Sequence, residues 1–214
     1  MRILVINPNS SATVTEGIAE ALAPLDATFT VICRPDGPET IRTDQHVAEA
    51  APDMAALVAA HPDQDGYITA CFSDPGLDGM RQVTPAPVTG AQEAAVLEAC
   101  DLAPKFGIIA LSERAIPRHL ARIRALGLAD RLVAELPLRD VSAAESGSDP
   151  AVYALILQLA VQLRDMGAGA VVLGCAGMAP LAARLQADLG LPVIDPVAAA
   201  GRLALRRAQK GFSR

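Results

Sequence analysis

Two of the four cysteines, Cys71 and Cys175, lie in matching sequence contexts. Each follows a short apolar run and precedes small or turn-forming residues, within Tyr67–Ser73 and Val171–Gly177. A thiol where a buried strand ends lies near backbone N–H groups, which stabilise an anion and lower the thiol pKa from its ordinary value of about 8.5. We therefore expect both side chains to form thiolates that act as bases.

The two cysteines are part of a longer repeat, in which one unit occurs twice at an offset of about 104 residues. The apolar run at 2–6 matches the run at 106–110. Further along, Pro87-Val88 before a pair of alanines matches Pro192-Val193 before another pair. Three landmarks in the same order indicate two similar halves.

Apolar runs rich in β-branched residues alternate with longer Ala/Leu-rich stretches, which is typical of parallel sheets covered by helices. The predicted fold class is α/β, with two pseudo-symmetric Rossmann-like or flavodoxin-like halves, 1–103 and 104–214, and a cleft between them. The C-terminal helix is a candidate to complete the first half. The predicted strands are Ile3–Ile6, Phe29–Ile32, Tyr67–Ala70, Phe106–Ala110, Ala170–Leu173 and Pro192–Ile194. The predicted helices are Ser11–Leu22, His46–Ala60, Gln92–Cys100, Ile116–Leu126, Pro150–Met166, Ala179–Leu189 and Val197–Ala208.

Two thiols on opposite sides of one cleft suit racemisation. One thiolate removes an α-proton from one face of a substrate, and the other thiol delivers a proton to the opposite face. The enolate formed between them needs hydrogen-bond donors aimed at its oxygen. The candidate substrate-binding residues are those after the cysteines and in the first strand–helix loop: Asn7, Asn9, Ser10, Phe72, Ser73, Ala176 and Gly177.

Other residues with reactive or polar side chains have simpler interpretations. Asn7 and Asn9 fit a turn around Pro8 equally well. The remaining cysteines, Cys33 and Cys100, have no repeat partner, so we expect them to be inert. The histidines His46, His61 and His119 are predicted to lie on the surface, and the acids Asp74 and Asp78 to cap helices.

Composition excludes several function classes. Hydrophobic residues make up 51% of the chain and charged residues 20%, which indicates a globular protein, and a net charge of −6 is unsuited to nucleic acid. The longest apolar stretch, 151–163, contains two glutamines and is too short to span a membrane, and no signal peptide is evident. We expect a cytoplasmic protein with free thiols that binds a small molecule. The chain has neither a C-x-x-C pair nor a glycine-rich phosphate motif, so no metal and no cofactor are predicted.

At four segments the sequence resembles the aspartate/glutamate/hydantoin racemase superfamily, and within it the hydantoin and allantoin racemase branch. This resemblance covers the length of the chain. It implies two α/β halves with the active site between them, no PLP, no metal and a homo-oligomer, with Cys71 and Cys175 as the two proton carriers. The segments that carry it are Ile6–Ser10, Ala70–Asp78, Val172–Met178 and Gly190–Asp195.

Departures from the family pattern bear on the substrate. Amino-acid racemases of the superfamily place Asn-Thr and Thr-His after their cysteines, where this chain has Phe72-Ser73 and Ala176-Gly177. A neutral cyclic amide such as a hydantoin or allantoin therefore fits better than a zwitterion. Yet Ser73 replaces a usual Gly, Ala110-Leu111 replaces a Thr pair, and the branch usually has an acidic residue near Arg42. A substrate that bears a carboxylate is the alternative.

Four further classes of protein remain open. A maleate-type cis–trans isomerase also uses two cysteines, and a malonate-type decarboxylase needs one thiol as proton donor. An amino-acid racemase belongs to the same superfamily. A non-catalytic small-molecule-binding protein would show two slow thiols, whereas the racemase interpretation predicts rapid alkylation of at least one at neutral pH. A redox disulfide is disfavoured, because bases that flank a substrate lie too far apart.

Overall fold

The computed structural model describes residues 1–139 and 141–212, in which strands and helices alternate along the chain. The strands are β1 (Arg2–Asn7), β2 (Thr28–Cys33), β3 (Gly66–Thr69), β4 (Val88–Gly90), β5 (Phe106–Ala110), β6 (Leu132–Pro137), β7 (Ala170–Gly174) and β8 (Val193–Ile194). The helices are α1 (Ala12–Leu22), α2 (Asp44–Ala60), α3 (Leu77–Gln82), α4 (Ala91–Leu102), α5 (Ile116–Ala125), α6 (Glu145–Ser148), α7 (Pro150–Asp165), α8 (Ala182–Leu189) and α9 (Pro196–Phe212). Short 3₁₀ turns occupy Glu113–Ala115, Ala129–Arg131 and Ala176–Leu181.

The strands form two parallel four-stranded sheets with the same topology, β2-β1-β3-β4 and β6-β5-β7-β8. Residues of β3, β5 and β7 are fully buried, because helices cover both faces of each sheet. The predicted α/β class with two similar sheets is confirmed. The shared strand order also accounts for the repeat read from the sequence.

The predicted strands and helices are all present in the described residues, with small shifts at their ends. Four elements were missed. Strand β4 has three residues and α6 has four, too few to set a pattern. Strand β6 carries Glu135 and is only partly buried, and the six-residue helix α3 follows a left-handed Gly76.

Helix α9 follows the last strand of the second sheet and packs against α4 and against β3 of the first sheet. Its Gly201 lies against Leu22, Leu25 and Phe29, where a Cβ would come within 2.5 Å of the two leucine side chains. A glycine at this position therefore lets α9 approach the first sheet closely. Whether 1–103 and 104–214 behave as separate domains stays a prediction.

The equivalent helices α4 and α9 begin with the same kind of cap, obtained in two ways. Asp195 precedes α9, and its carboxylate accepts hydrogen bonds from the N–H groups of Val197 and Ala198 at 2.8 and 3.3 Å. Helix α4 has Gly90 at this position, and Asp74 supplies the carboxylate from another loop. A Cβ at Gly90 would collide with that carboxylate, so the glycine makes room for the borrowed cap.

The sequence predicted no membrane-spanning segment. Within 1–139 and 141–212, no helix is both long enough and apolar enough to cross a bilayer.

Candidate active site

Cys71 and Cys175 lie at the carboxyl ends of β3 and β7, the equivalent strands of the two sheets, and line one cavity. Ligands of open α/β sheets bind at such ends. The cavity volume is about 30 Å³, which is room for one or two water molecules and not for a five-membered ring. The sheets thus bring the two predicted thiols to the same cleft, in a closed state.

Glycines shape the turn that presents Cys175. A Cβ at Gly174 would lie 2.5 Å from the carbonyl oxygen of Ile109, so a side chain here would push β7 away from β5. A Cβ at Gly177 would collide with the carbonyl oxygen of Ala143. With both glycines in place, the N–H of Gly177 donates to the Cys175 Sγ at 3.4 Å.

Cys71 is held in a comparable turn. The backbone N–H of Ser73 donates to its thiol, and the N–H of Asp74 donates to its carbonyl oxygen at 2.9 Å. Asp74 has a φ of 44°, in the left-handed region that asparagine and aspartate tolerate better than most residues. Because the same residue caps α4, the turn after Cys71 is anchored to that helix. The expectation that Asp74 is a cap is confirmed.

The expected lowering of the thiol pKa values is wrong for this closed cleft. Burial raises the pKa of Cys71 to about 12, although the Ser73 amide and the nearby Arg118 charge lower it. Burial also raises the pKa of Cys175, against the donors at Gly177, Ser146 and Met178. Desolvation disfavours the thiolate more than the donors stabilise it, so both thiols are neutral at pH 7.

The predicted binding residues divide into two groups. Asn9, Phe72, Ser73 and Ala176 line the cavity beside the thiols, whereas Asn7, Ser10 and Gly177 do not.

Asn7 and Asn9 stabilise the first strand–helix loop. The Asn7 Nδ2 donates to the Asn9 Oδ1 at 2.9 Å and to the Thr15 Oγ1 at 3.0 Å. The Asn9 Oδ1 also accepts from the N–H of Ser11. Within the described residues the Asn9 Nδ2 has no hydrogen-bond partner, so this group remains available to a ligand in the cavity.

The prediction that His119 lies on the surface is wrong. His119 is 2% exposed, lines the cavity, and bridges two polar side chains. Its Nε2 lies 3.1 Å from the Ser73 Oγ and its Nδ1 lies 2.6 Å from the Glu135 Oε1. The ring also packs edge-on against Phe72, with centroids 5.0 Å apart. These contacts define a Glu135–His119–Ser73 chain that supports the turn after Cys71.

One sequence signal could have placed His119 inside. It precedes Ile123 by four residues on α5, so the two share a helix face, and both are buried. Its partner Glu135 had no comparable signal, because β6 was not predicted. By contrast His61 is exposed and His46 is half-buried.

Arg118 is a second residue that the sequence did not single out. Its Nε donates to the Ser73 Oγ at 2.9 Å, and its Nη1 pairs with Asp44 at 3.1 Å. The guanidinium lines the cavity and favours the ionised form of Cys71. Arg118 is therefore the positive charge that acts on this thiol.

No metal-binding cluster was predicted. In the described part of the chain, no group of three or more His, Cys, Asp or Glu residues is placed to hold a metal ion. All four cysteines are unpaired.

Comparison with known proteins shows the family to which the chain is similar. The family model for Asp/Glu/Hydantoin racemase matches residues 3–204. A hydantoin racemase from Paenarthrobacter aurescens is 38% identical over 99% of this chain and 93% of its own length. Another from Rhizobium meliloti is 34% identical over 100% and 91%. The solved structure of allantoin racemase from Klebsiella pneumoniae superposes with a TM-score of 0.91 at 30% identity, covering 99% of this chain and 89% of that one.

Two equivalent sheets with a shared cleft, and a match along nearly the whole sequence, define the class. The chain belongs to the Asp/Glu/Hydantoin racemase family. It is an isomerase of the racemase type.

The raised thiol pKa values predict slow alkylation, contrary to the expectation from sequence. Iodoacetamide should modify Cys71 slowly at pH 7, and the rate should rise about tenfold per pH unit to beyond pH 9, because only the thiolate reacts. Peptide mapping by mass spectrometry reports each cysteine separately. A short unstructured peptide with one cysteine is the control, and its rate is half-maximal near its thiol pKa of about 8.5 and levels off about one pH unit higher. A Cys71 rate that is high at pH 7 and level above pH 8 would contradict the raised pKa.

The buried histidine predicts an effect on stability. His119→Leu should lower the free energy of unfolding by about 3 kcal/mol, because it leaves the buried Glu135 carboxylate without its partner. Urea denaturation measures the loss. His61→Leu is the matched control on an exposed site, with an expected change within about 0.5 kcal/mol. Equal stability of the two variants would show that His119 is not buried against Glu135.

Proposed function

We propose that this protein is a cofactor-independent racemase of 5-substituted hydantoins or a related cyclic ureide such as allantoin, with Cys71 and Cys175 as its two bases. The observation that carries the proposal is the placement of both cysteines at equivalent strand ends around one cavity. The printed names of the relatives support cyclic ureides as the substrate class. Homo-oligomerisation and a cytoplasmic location remain predictions.

The reaction needs one ionised and one protonated thiol. The Cys71 thiolate removes the proton at C5 of the ring, and the C–H electron pair moves into the adjacent carbonyl to give an enolate. The Cys175 thiol then protonates C5 from the opposite face and becomes the thiolate. Inversion of the other enantiomer runs in the reverse direction and restores the first state.

Because their pKa values are raised, the two thiols are rarely ionised at pH 7, but the thiolates that do form are strong bases. At pH 7 a thiol of pKa about 12 is ionised in about one molecule in 10⁵. Such a thiolate matches a weakly acidic carbon better than one of low pKa. Arg118 and the Ser73 amide favour the Cys71 thiolate, and the Gly177 amide favours the Cys175 thiolate. These donors stabilise each anion in turn.

The enolate oxygen also needs a donor. The Asn9 amide lines the cavity, with no hydrogen-bond partner of its Nδ2 among the described residues. It therefore fits that role better than Asn7, whose Nδ2 is engaged within the loop. Because the closed cavity is too small for the ring, the cleft must open for substrate to enter.

The alternative classes are less well supported by the cleft. A decarboxylase of the malonate type has no use for the second thiol. An amino-acid racemase would need groups to hold an α-carboxylate beside both cysteines, where Phe72 and Ala176 present apolar walls. A cis–trans isomerase of the maleate type also uses two cysteines, so activity must decide between it and the racemase.

The purified protein, without added cofactor, should remove the optical rotation of enantiopure 5-substituted hydantoins or of allantoin. Cys71→Ser and Cys175→Ser should each lower the racemisation rate by about 10³-fold or more, because one face loses its base. Each variant should still exchange the C5 proton of the enantiomer that faces its remaining thiol.

Cys33→Ser and Cys100→Ser are the matched controls. Both positions are half-buried and lie outside the cavity, so racemisation should remain near wild type. Full racemisation by both of the Cys71 and Cys175 variants would contradict the assignment of two bases. Absence of turnover with every ureide would contradict the substrate class.

A further inference from the structure

A second cavity of about 470 Å³ adjoins the cysteine cleft and shares the walls formed by Leu111 and Ser112. It lies beyond the carboxyl ends of β5 and β6, the same edge of the second sheet that carries Cys175. Three arginines line it, and we refer to it as the arginine pocket. Its lining includes Arg42, Leu111, Ser112, Arg114, Leu138 and Arg139.

The guanidinium groups of the arginine pocket have no partner among the residues that the structure describes. Among residues 1–139 and 141–212, the side chains of Arg42, Arg114 and Arg139 have no hydrogen bond and no ion pair. In contrast, Arg118 and Arg202 each pair with a carboxylate. The net charge of the chain is −6, so three unengaged arginines in one hollow are a local excess of positive charge.

Carboxylates near the pocket offset this charge only in part. Glu113 belongs to the same lining. Glu145 lies near Arg42, and its pKa is lowered by hydrogen bonds from Ser142 and, to a smaller extent, by the Arg42 charge. The lining contains three arginines and one acidic residue, Glu113, so the pocket carries a net positive charge. Such a charge favours an anionic occupant.

Arg118 connects this pocket to the reactive cleft. Its Nη1 donates to the carbonyl oxygen of Arg114 at 3.2 Å, and its Nη2 donates to that of Arg42 at 3.4 Å. Its Nε donates to the Ser73 Oγ beside Cys71. One guanidinium thus fixes the backbone of two pocket arginines relative to the first thiol, so the distance between the two sites is set before substrate binds.

We propose that the arginine pocket binds a carboxylate on the C5 substituent, so that the substrates are hydantoins of acidic side chains. This inference rests on the proposed racemase reaction. With C5 between the thiols, the substituent passes Leu111 and Ser112 and its carboxylate meets the guanidinium groups. A guanidinium binds a carboxylate through two parallel hydrogen bonds, a geometry that a neutral amide cannot match. An apolar substituent would offer no partner to the three guanidinium groups.

The test compares two hydantoins of nearly equal shape. One carries a 2-carboxyethyl group at C5 and the other a 2-carbamoylethyl group, so that a neutral amide replaces the charged carboxylate. The kcat/KM for racemisation of the carboxylate should exceed that of the amide by about tenfold or more, and added salt should reduce the difference. Calorimetry with the Cys71→Ser variant, in which racemisation is slowed, measures the affinity for both compounds.

Substitutions of the three pocket arginines test whether these residues cause the preference for the carboxylate substrate. Arg42→Gln, Arg114→Gln and Arg139→Gln should each lower kcat/KM for the carboxylate several-fold more than kcat/KM for the amide. Arg124→Gln, an exposed arginine of α5 outside the pocket, is the control for net charge and should leave the preference unchanged.

The outcomes separate the two proposals. Racemisation of both compounds at equal rates, with equal affinities, would overturn the arginine pocket and leave the racemase intact. No racemisation of either, with tight binding of the carboxylate that the arginine variants weaken, would support the pocket and contradict the reaction. Loss of rate on both substrates to the same degree in the arginine variants would also overturn the pocket, because it indicates a general structural effect.

Discussion

Contact between α4 and α9 joins the two sheets, and the position of Cys71 depends on it. The helices are equivalent in the repeat, and two ion pairs connect α9 to α4, Arg202 with Glu98 at 2.6 Å and Arg207 with Glu93 at 3.0 Å. Asp74 caps α4 from the turn that follows the first cysteine. The helix interface thereby holds the reactive turn as well as the sheets, and a shift of α4 would move a thiol.

Burial sets the chemistry that this arrangement allows. Two thiols in a closed cleft lose the solvation that favours their ionised forms, so they are weak acids whose conjugate bases are strong. Backbone N–H donors and Arg118 lower the thiol pKa values, but by less than burial raises them. A substrate that opens the cleft meets bases suited to a carbon acid, and Arg118 relates the reactive cleft to the arginine pocket through Ser73.

The features that could be predicted from the sequence are those that occur twice along the chain and those that follow a local pattern of apolar residues. Cys71 and Cys175 could be paired because the same strand–turn context occurs twice, and the long strands followed from their apolar runs. Glu135 could not be found, because its strand is partly buried and polar in part. Its contact with His119 joins two elements whose proximity only the folded sheet defines. The raised thiol pKa values were also missed, since burial depends on the approach of the two halves.

The isotope pattern at early times in D₂O tests the two-base account most directly. A single enantiomer of a hydantoin substrate is incubated with the enzyme, and deuterium at C5 is measured in each enantiomer after chiral separation. Two bases predict that the newly formed enantiomer carries deuterium while the remaining starting enantiomer keeps its proton, since the thiol that donates differs from the one that abstracts. Equal deuterium in both enantiomers from the start would contradict the account, because one base would then serve both faces.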